Sequence, residues 1–448
     1  MSKSDSAVFF SKFTLKEIVP NNFDLFYRIF DSLKFRNFKL YFWGQCISLI
    51  GSWMQQVAMS WLIYSLTGSL LLLGTVAFLA QIPTLLFTPF SGVIVDRYNK
   101  RKILMFMQIA YMVEAFILAT LVLTHTIQTW HILLLALFAG FINLLDMPAR
   151  QAFYTALVPP EKLGNAVALS SSIMNGSRLI GPAIAGILIK VVGEGGCFLI
   201  NAFSYIFVIW ALVKITCQET PRDNNKHVFS EIRDGFVYVQ QTLPIRSLLF
   251  LLAIFSFCVF TYSTFMAAYV KDTLNADSGT LGIIMSAVGI GAFASTLYLA
   301  ARKSILGLGK VVVITTILAS VALIPFFFLK TMWATLPLAI FLGFGITCAI
   351  ASINTLLQAL TSDEMRGRVM AYYSMSFIGI SALGCLFWSS ISEWIGLPWT
   401  MTFCGIICIA AALLFEKYRP IVRKHARPIY IDKGIIKEIA IGIEGVRE

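Results

Sequence analysis

Charge is what this sequence has least of: Asp, Glu, Lys and Arg together make up 13% of its 448 residues. Acidic residues are the scarcer sign, 23 against 35 basic ones, and histidine occurs four times. His125, His131, His227 and His425 fall in loops or at helix ends, which excludes a histidine metal cluster and a His-based triad. No glycine-rich loop closes on a Lys-Ser or Lys-Thr pair, so bound ATP is not the expected energy source. Cys46, Cys197, Cys258, Cys348, Cys385, Cys404 and Cys408 lie in apolar runs without paired spacing, which argues against disulfides and metal clusters alike. Neither an enzyme nor a cofactor is expected. Residues 1–38 mix Lys and Asp with Phe and do not read as a cleaved signal peptide.

What the sequence has in excess is apolar surface. Hydrophobic residues make up 58% of the chain, more than a soluble fold of this length could hide, which points to a polytopic membrane protein. The net charge of +12 raises nucleic acid as a partner, but the bases sit between apolar blocks instead of forming one basic surface. A bilayer core needs about 20 apolar residues per helix. Twelve stretches qualify: 40–66, 71–95, 103–124, 131–157, 165–192, 197–215, 247–269, 280–300, 311–329, 333–359, 367–391 and 397–415. An even count puts both termini on one side. Arg36, Lys39, Lys162, Arg302, Lys310, Arg366 and Arg368 fall on that side too, so the positive-inside rule places the termini in the cytoplasm of a bacterial cell.

The expected fold is all-α, with twelve transmembrane helices in two pseudo-symmetric six-helix bundles. Its parts are an N-terminal segment 1–39, a first bundle 40–216, a linker 217–246, a second bundle 247–416 and a tail 417–448. In the linker, Phe229, Ile232, Phe236, Val239 and Leu243 recur at helical spacing, as in a helix lying on the membrane face. Five Lys or Arg between Lys417 and Arg427 suggest a tail resting on anionic lipid. The halves repeat. A shift of 203 residues carries Gly140 to Gly343, Gly164 to Gly367, Gly181 to Gly384 and Gly193 to Gly396 without a gap, as duplication would. Two parallel halves facing each other across a cavity are a transporter plan.

On its motifs the chain resembles the Major Facilitator Superfamily. The run Gly92-Val-Ile-Val-Asp96-Arg97-Tyr-Asn99-Lys100-Arg101-Lys102 is similar to the superfamily signature Gly-x-x-x-Asp-Arg-x-Gly-Arg-Lys, with Asn99 where glycine is usual. Asparagine tolerates a left-handed turn, so the departure reads as mild. Ser177, Gly181, Pro182 and Gly186 resemble the motif of the antiporter branch, with Ser177 and Ala185 in place of two glycines. Asp146-Met-Pro-Ala-Arg150-Gln-Ala and Arg366-Gly-Arg-Val-Met resemble the exporter subgroup that includes the enterobactin exporter and macrolide efflux proteins. The resemblance implies proton-coupled export of a bulky amphipathic molecule, drug-like or a siderophore, from the inner membrane. The expected partners are that substrate, protons and lipid, with the protein a monomer.

Several residues stand out against this background. Asn143, Asp146 and Arg150 share one face of the fourth span, and counting rises from the next turn puts Asp146 and Arg178 at one depth. If spans four and five are neighbours, these two pair, and two readings stand: a proton-coupling site, or a structural ion pair inside the bundle. Glu114, alone in the third span, is either a second protonation site or a helix-bonding residue. Asp96 and Arg97, with Lys100 and Arg101, read as a cytoplasmic gate latch. Ser177, Gly181 and Ala185 form a small-residue row for helix packing. Polar stripes through Gln45, Ser52 and Gln55, through Gln81, and through Asn143, Asn175, Asn354, Gln358 and Tyr372 read as cavity wall or as helix-to-helix hydrogen bonding. An importer of the same fold and a transport-inert membrane sensor remain as alternatives.

Overall fold

In the computed structural model, residues 30–216, 228–302, 304–362 and 364–433 are described, without the side chains of residues 89, 93, 96 and 228–232. Residues 1–29 of the segment 1–39, 217–227 of the linker, 434–448 of the tail, and the side chains of Asp96, Phe229 and Ile232 therefore lie outside the described residues.

Helices dominate because a chain in lipid must satisfy every backbone group internally. The first bundle comprises α1 (Arg36–Thr67), α2 (Leu70–Arg97), α3 (Lys100–Leu123) and α4 (Thr129–Leu157), then one helical run, Leu163–Lys214. At ~1.5 Å per residue that run is far longer than a bilayer core of ~30 Å, so it must turn back. It does so at Gly193, whose φ of 70° and ψ of 178° suit glycine alone, leaving α5 (163–192) and α6 (194–214). After the linker helix Val228–Gln241 come α7 (Leu243–Thr273), α8 (Ser278–Ala300), α9 (Leu308–Phe326), α10 (Met332–Leu360), α11 (Arg366–Ile395) and α12 (Leu397–Asp432). Among the described residues eleven helical segments are long and apolar enough to cross a membrane, and the break at Gly193 makes twelve spans. α11 contains a π-helical turn, Met375–Gly379.

The 203-residue repeat holds in three dimensions. A Cβ on Gly140 of α4 would lie 2.8 Å from the Ala80 carbonyl oxygen of α2, and one on Gly343 of α10 would lie 2.0 Å from the Val288 oxygen of α8. Gly181 of α5 closes on Trp53 of α1, as Gly384 of α11 closes on Phe257 of α7. Gly193 and Gly396 both take positive φ at the same hairpin of each half. Even the clip beneath each bundle repeats. Asp31, in the short helical turn before α1, pairs with Lys162 at the start of α5, while Asn165 accepts the Ser32 amide at 2.9 Å. Asp234, 203 positions after Asp31, pairs at 3.4 Å with Arg368, 203 positions after Asn165. Lys162, then Lys34, hold the Asp31 carboxyl down at about 2.

Two expectations change here. The linker helix docks on the second bundle, with Gly235 against Arg368 and Tyr372 and the Tyr238 hydroxyl bonded to the Ser362 amide. Its Val239 is buried there, so the stripe serves protein as well as membrane. The tail has a protein contact as well as any with lipid: α12 continues to Asp432, with Ala426, Ile429 and Tyr430 packed against the second bundle.

The bundles meet through two crossings, α2 with α11 and α5 with α8. At the first, Gly74 lies against Ser389 and Gly379 against Leu85, and the Ser381 hydroxyl donates to Gln81 at 3.1 Å. At the second, Gly282 would clash with the Pro182 oxygen if it carried a Cβ, and the Ser286 hydroxyl donates to the Leu179 oxygen at 3.1 Å.

Candidate functional site

The first bundle encloses two carboxylates. Asp146 of α4 is bonded by Arg150 one turn along the same helix and by Gln108 Nε2 of α3, at 2.8 Å. Their side chains are 3% and 14% exposed, so the pair is shielded from both lipid and bulk water. The Arg150 Nε atom beside it is buried without a hydrogen-bond partner.

The expected pair of Asp146 with Arg178 does not form. α4 packs on α2 and α3 whereas α5 packs on α1 and α8, so equal depth does not make the two residues neighbours. Arg178 instead lays its guanidinium over the Trp53 ring at 5.5 Å, a cation–π contact that binds α5 to α1. Asn175 bonds back to the Ser171 carbonyl of its own helix, and Asn143 is half-buried on α4.

Glu114 of α3 is the second carboxylate, 2% exposed. Gln55 Nε2 of α1 donates to it at 2.9 Å, and Asn201 Nδ2 of α6 donates to the Gln55 oxygen at 2.7 Å. Ser204 and Tyr205 extend the network: the Ser204 hydroxyl bonds Asn201, and Ser52 meets the Tyr205 hydroxyl at 3.1 Å. Tyr111 stacks on Tyr205 at 5.7 Å. Asn201 and Tyr205 were not singled out in the sequence. The signal was available: Asn201, Ser204 and Tyr205 are polar residues three and four apart inside an apolar span.

The stripe of Gln45, Ser52 and Gln55 therefore faces the inside of the first bundle and not a central cavity. Gln45 bonds Tyr41 on its own helix at 3.2 Å. Gln81 belongs to the α2–α11 crossing, and Tyr372 abuts the linker helix, its ring 6.4 Å from Phe236. Gln358 and Asn354 bond each other on α10. On the halves of α5 and α10 nearest the termini, Ser171, Ser172, Thr355 and Gln358 are exposed, with the Ser172 and Thr355 hydroxyls bonded to carbonyls of their own helices.

The gate residues divide. Arg101 donates to the carbonyls of Leu212 at 2.6 Å and Val213 at 2.9 Å, satisfying the end of α6. Asn99 is not left-handed: its φ is −62°, and its side chain caps α3 by accepting from the Lys102 amide at 3.0 Å. Gly92 and Arg97 are exposed, and Lys100 opens α3. The antiporter-like motif splits as well. Gly181 faces α1, whereas Pro182 and Gly186 face Gly282 and Ser278 of α8, and the Ser177 hydroxyl is buried without a partner.

On the face opposite the termini, polar links join the bundles. Tyr64 bonds Asp272, the Ser69 hydroxyl and the Leu71 amide bond Glu393 at 2.9 and 3.0 Å, and Lys190 pairs with Asp277 at 2.7 Å. The Lys190 ammonium holds the Asp277 carboxyl below the usual range.

Two duplicated six-helix bundles, meeting at two crossings, have the architecture of a twelve-helix secondary transporter. Residues 29–427 match the model of the transmembrane secretion effector family, and the chain belongs to that family of the Major Facilitator Superfamily. It is a small-molecule transporter and not an enzyme. Over 378 residues it is 24% identical to the staphyloferrin A transporter of Staphylococcus aureus, covering 84% of this chain and 95% of that one. It is also 24% identical to macrolide efflux protein A of Streptococcus pyogenes, over 84% of this chain and 96% of that one. A bacterial homologue of the human lysosomal transporter Spinster, crystallised inward-facing and unoccupied, superposes with a TM-score of 0.66 at 14% identity, over 88% of this chain and 98% of that one. A bacterial homologue of the iron transporter ferroportin gives 0.62 at 17%, over 87% and 98%. These likenesses fix the fold.

Proposed function

We propose that the protein exports an amphipathic small molecule, a siderophore or a drug-like compound, across the bacterial cytoplasmic membrane by proton antiport. The observation that carries the reading is the asymmetry between its two faces. Three sets of polar links close the face opposite the termini, while Ser171, Ser172, Thr355 and Gln358 are exposed nearer the termini. With the termini in the cytoplasm, as the positive-inside rule has it, this is a state ready to load from the cell interior. The bundles 40–216 and 247–416 then rock about the two crossings, opening the outer links. Asn175, Asn354 and Gln358 line the loading side. The named relatives support the substrate class.

Asp146 is the proposed coupling residue. Its counter-charge lies on its own helix, so Arg150 can swing away without moving another span, and the carboxylate then takes a proton. A second reading places proton exchange at Glu114, whose carboxylate accepts a hydrogen bond from the neutral amide of Gln55. Inverted vesicles loaded by an imposed proton gradient test the direction. Uptake of a macrolide or staphyloferrin A with proton efflux is expected; accumulation only in right-side-out vesicles would establish an importer instead.

A further inference from the structure

The outer wall of the first bundle carries a groove that transport does not use. It lies between α1 and α6, has a volume of about 340 Å³, and is lined by Arg36, Lys39, Trp43, Ile47, Phe207 and Trp210. Gly44 makes it: a Cβ there would sit 3.1 Å from the Phe207 oxygen, so the two backbones nearly touch and form the floor. The walls are Trp43, Ile47, Phe207 and Trp210, each between 41% and 54% exposed. Arg36 and Lys39, three residues apart on one face of α1, stand at the mouth nearest the termini. Among the described residues no carboxylate pairs with either base. From Arg36 to Ile47 the helix rises ~16 Å, about the depth of one leaflet of a ~30 Å core.

We infer that this groove binds an anionic glycerophospholipid from the leaflet on the side of the termini. Its phosphate lies between Arg36 and Lys39, and one acyl chain follows the channel between Trp43 and Trp210. A second groove on the same bundle serves as an internal comparison. That one, among Phe87, Phe90, Phe106, Phe138, Phe141 and Leu145, holds about 380 Å³ but has no base in its lining, and is ordinary lipid contact. The basic groove is also not part of the duplicated scaffold. Under the 203-residue shift Arg36 and Lys39 become Val239 and Thr242, and Phe207 and Trp210 become Ala410 and Leu413. The inference holds whichever way substrate moves, because it concerns the wall facing lipid.

Native mass spectrometry of the full chain, delipidated stepwise in the presence of phosphatidylglycerol or phosphatidylcholine, tests it. Wild type should retain one phosphatidylglycerol after phosphatidylcholine has been stripped, and the R36Q/K39Q protein should lose that preference about tenfold or more. F90A, in the uncharged groove, should keep it. A double variant that unfolds is replaced by K39Q alone, expected to show a smaller loss in the same direction. Equal retention of both lipids by wild type overturns the inference. So does unchanged phosphatidylglycerol preference in a folded R36Q/K39Q or K39Q protein, or competition by inorganic phosphate as effective as by the lipid.

Discussion

Asp146 lies one helical turn from its own counter-charge, and that spacing was readable in the sequence as a run of Asp146, then Arg150 four positions on. What the sequence could not supply was the neighbour across the interface. Depth along a helix follows from counting residues, but the direction a side chain faces depends on which helix is packed there. That is why Arg178 found Trp53 and Asp146 found Gln108. The same limit hid Asn201, whose role depends on α1 presenting Gln55 opposite it. Arg150→Ala should cost about 3–5 kcal/mol of stability by stranding a buried carboxylate. Adding Asp146→Asn should recover much of that cost in thermal unfolding; simple additivity would mean that the pair contributes nothing as a pair. At Asn99 the physics is capping. Asn99→Ala should cost about 1 kcal/mol and Asn99→Gly only a few tenths, by the same measurement.

At the scale of elements the sequence was informative because lipid imposes both a length and a composition on each helix. Twelve spans and the 203-residue shift could be read directly, and the glycines that repeat do so because each pair serves the same crossing or turn. Less legible were features where protein replaces lipid as the partner: the docked linker helix and the last two turns of α12, where Ala426 is buried under a charged exterior. The antiporter-like motif on α5 divided for a similar reason, since one helix has two partners. Gly186→Leu places side-chain atoms where a Cβ alone would already lie 2.9 Å from the Ser278 oxygen. It should therefore lower the unfolding midpoint by overpacking worth about 1–3 kcal/mol. Gly164→Ala, with nothing within 4 Å, should not.

For the whole molecule, the two faces have separate tasks. The links on the face opposite the termini tie the halves together in this conformation, and their charges set when they can fail. Lys190 lowers the Asp277 carboxyl below its ordinary value of 3.8, so the stabilisation is complete above that value and fades only as pH falls through the lower folded one. The Lys190–Asp277 pair consequently stays charged down to about pH 5, so it does not serve as the proton sensor. Spin labels on Leu66 and Trp394, both exposed beside these links, should stay close down to that pH and separate in Lys190→Ala/Glu393→Ala. Closeness that is lost on mild acidification alone would assign the sensing to the latch. The central claim is that Asp146, protonated while its pair with Arg150 is open, gives up that proton and re-forms the pair when substrate binds. Its most direct measurement is proton release from purified protein in weakly buffered solution near neutral pH as a transported macrolide or siderophore is added. Wild type and Glu114→Gln should release protons on binding and Asp146→Asn should not; release from a folded, substrate-binding Asp146→Asn protein equal to that of wild type would contradict the account.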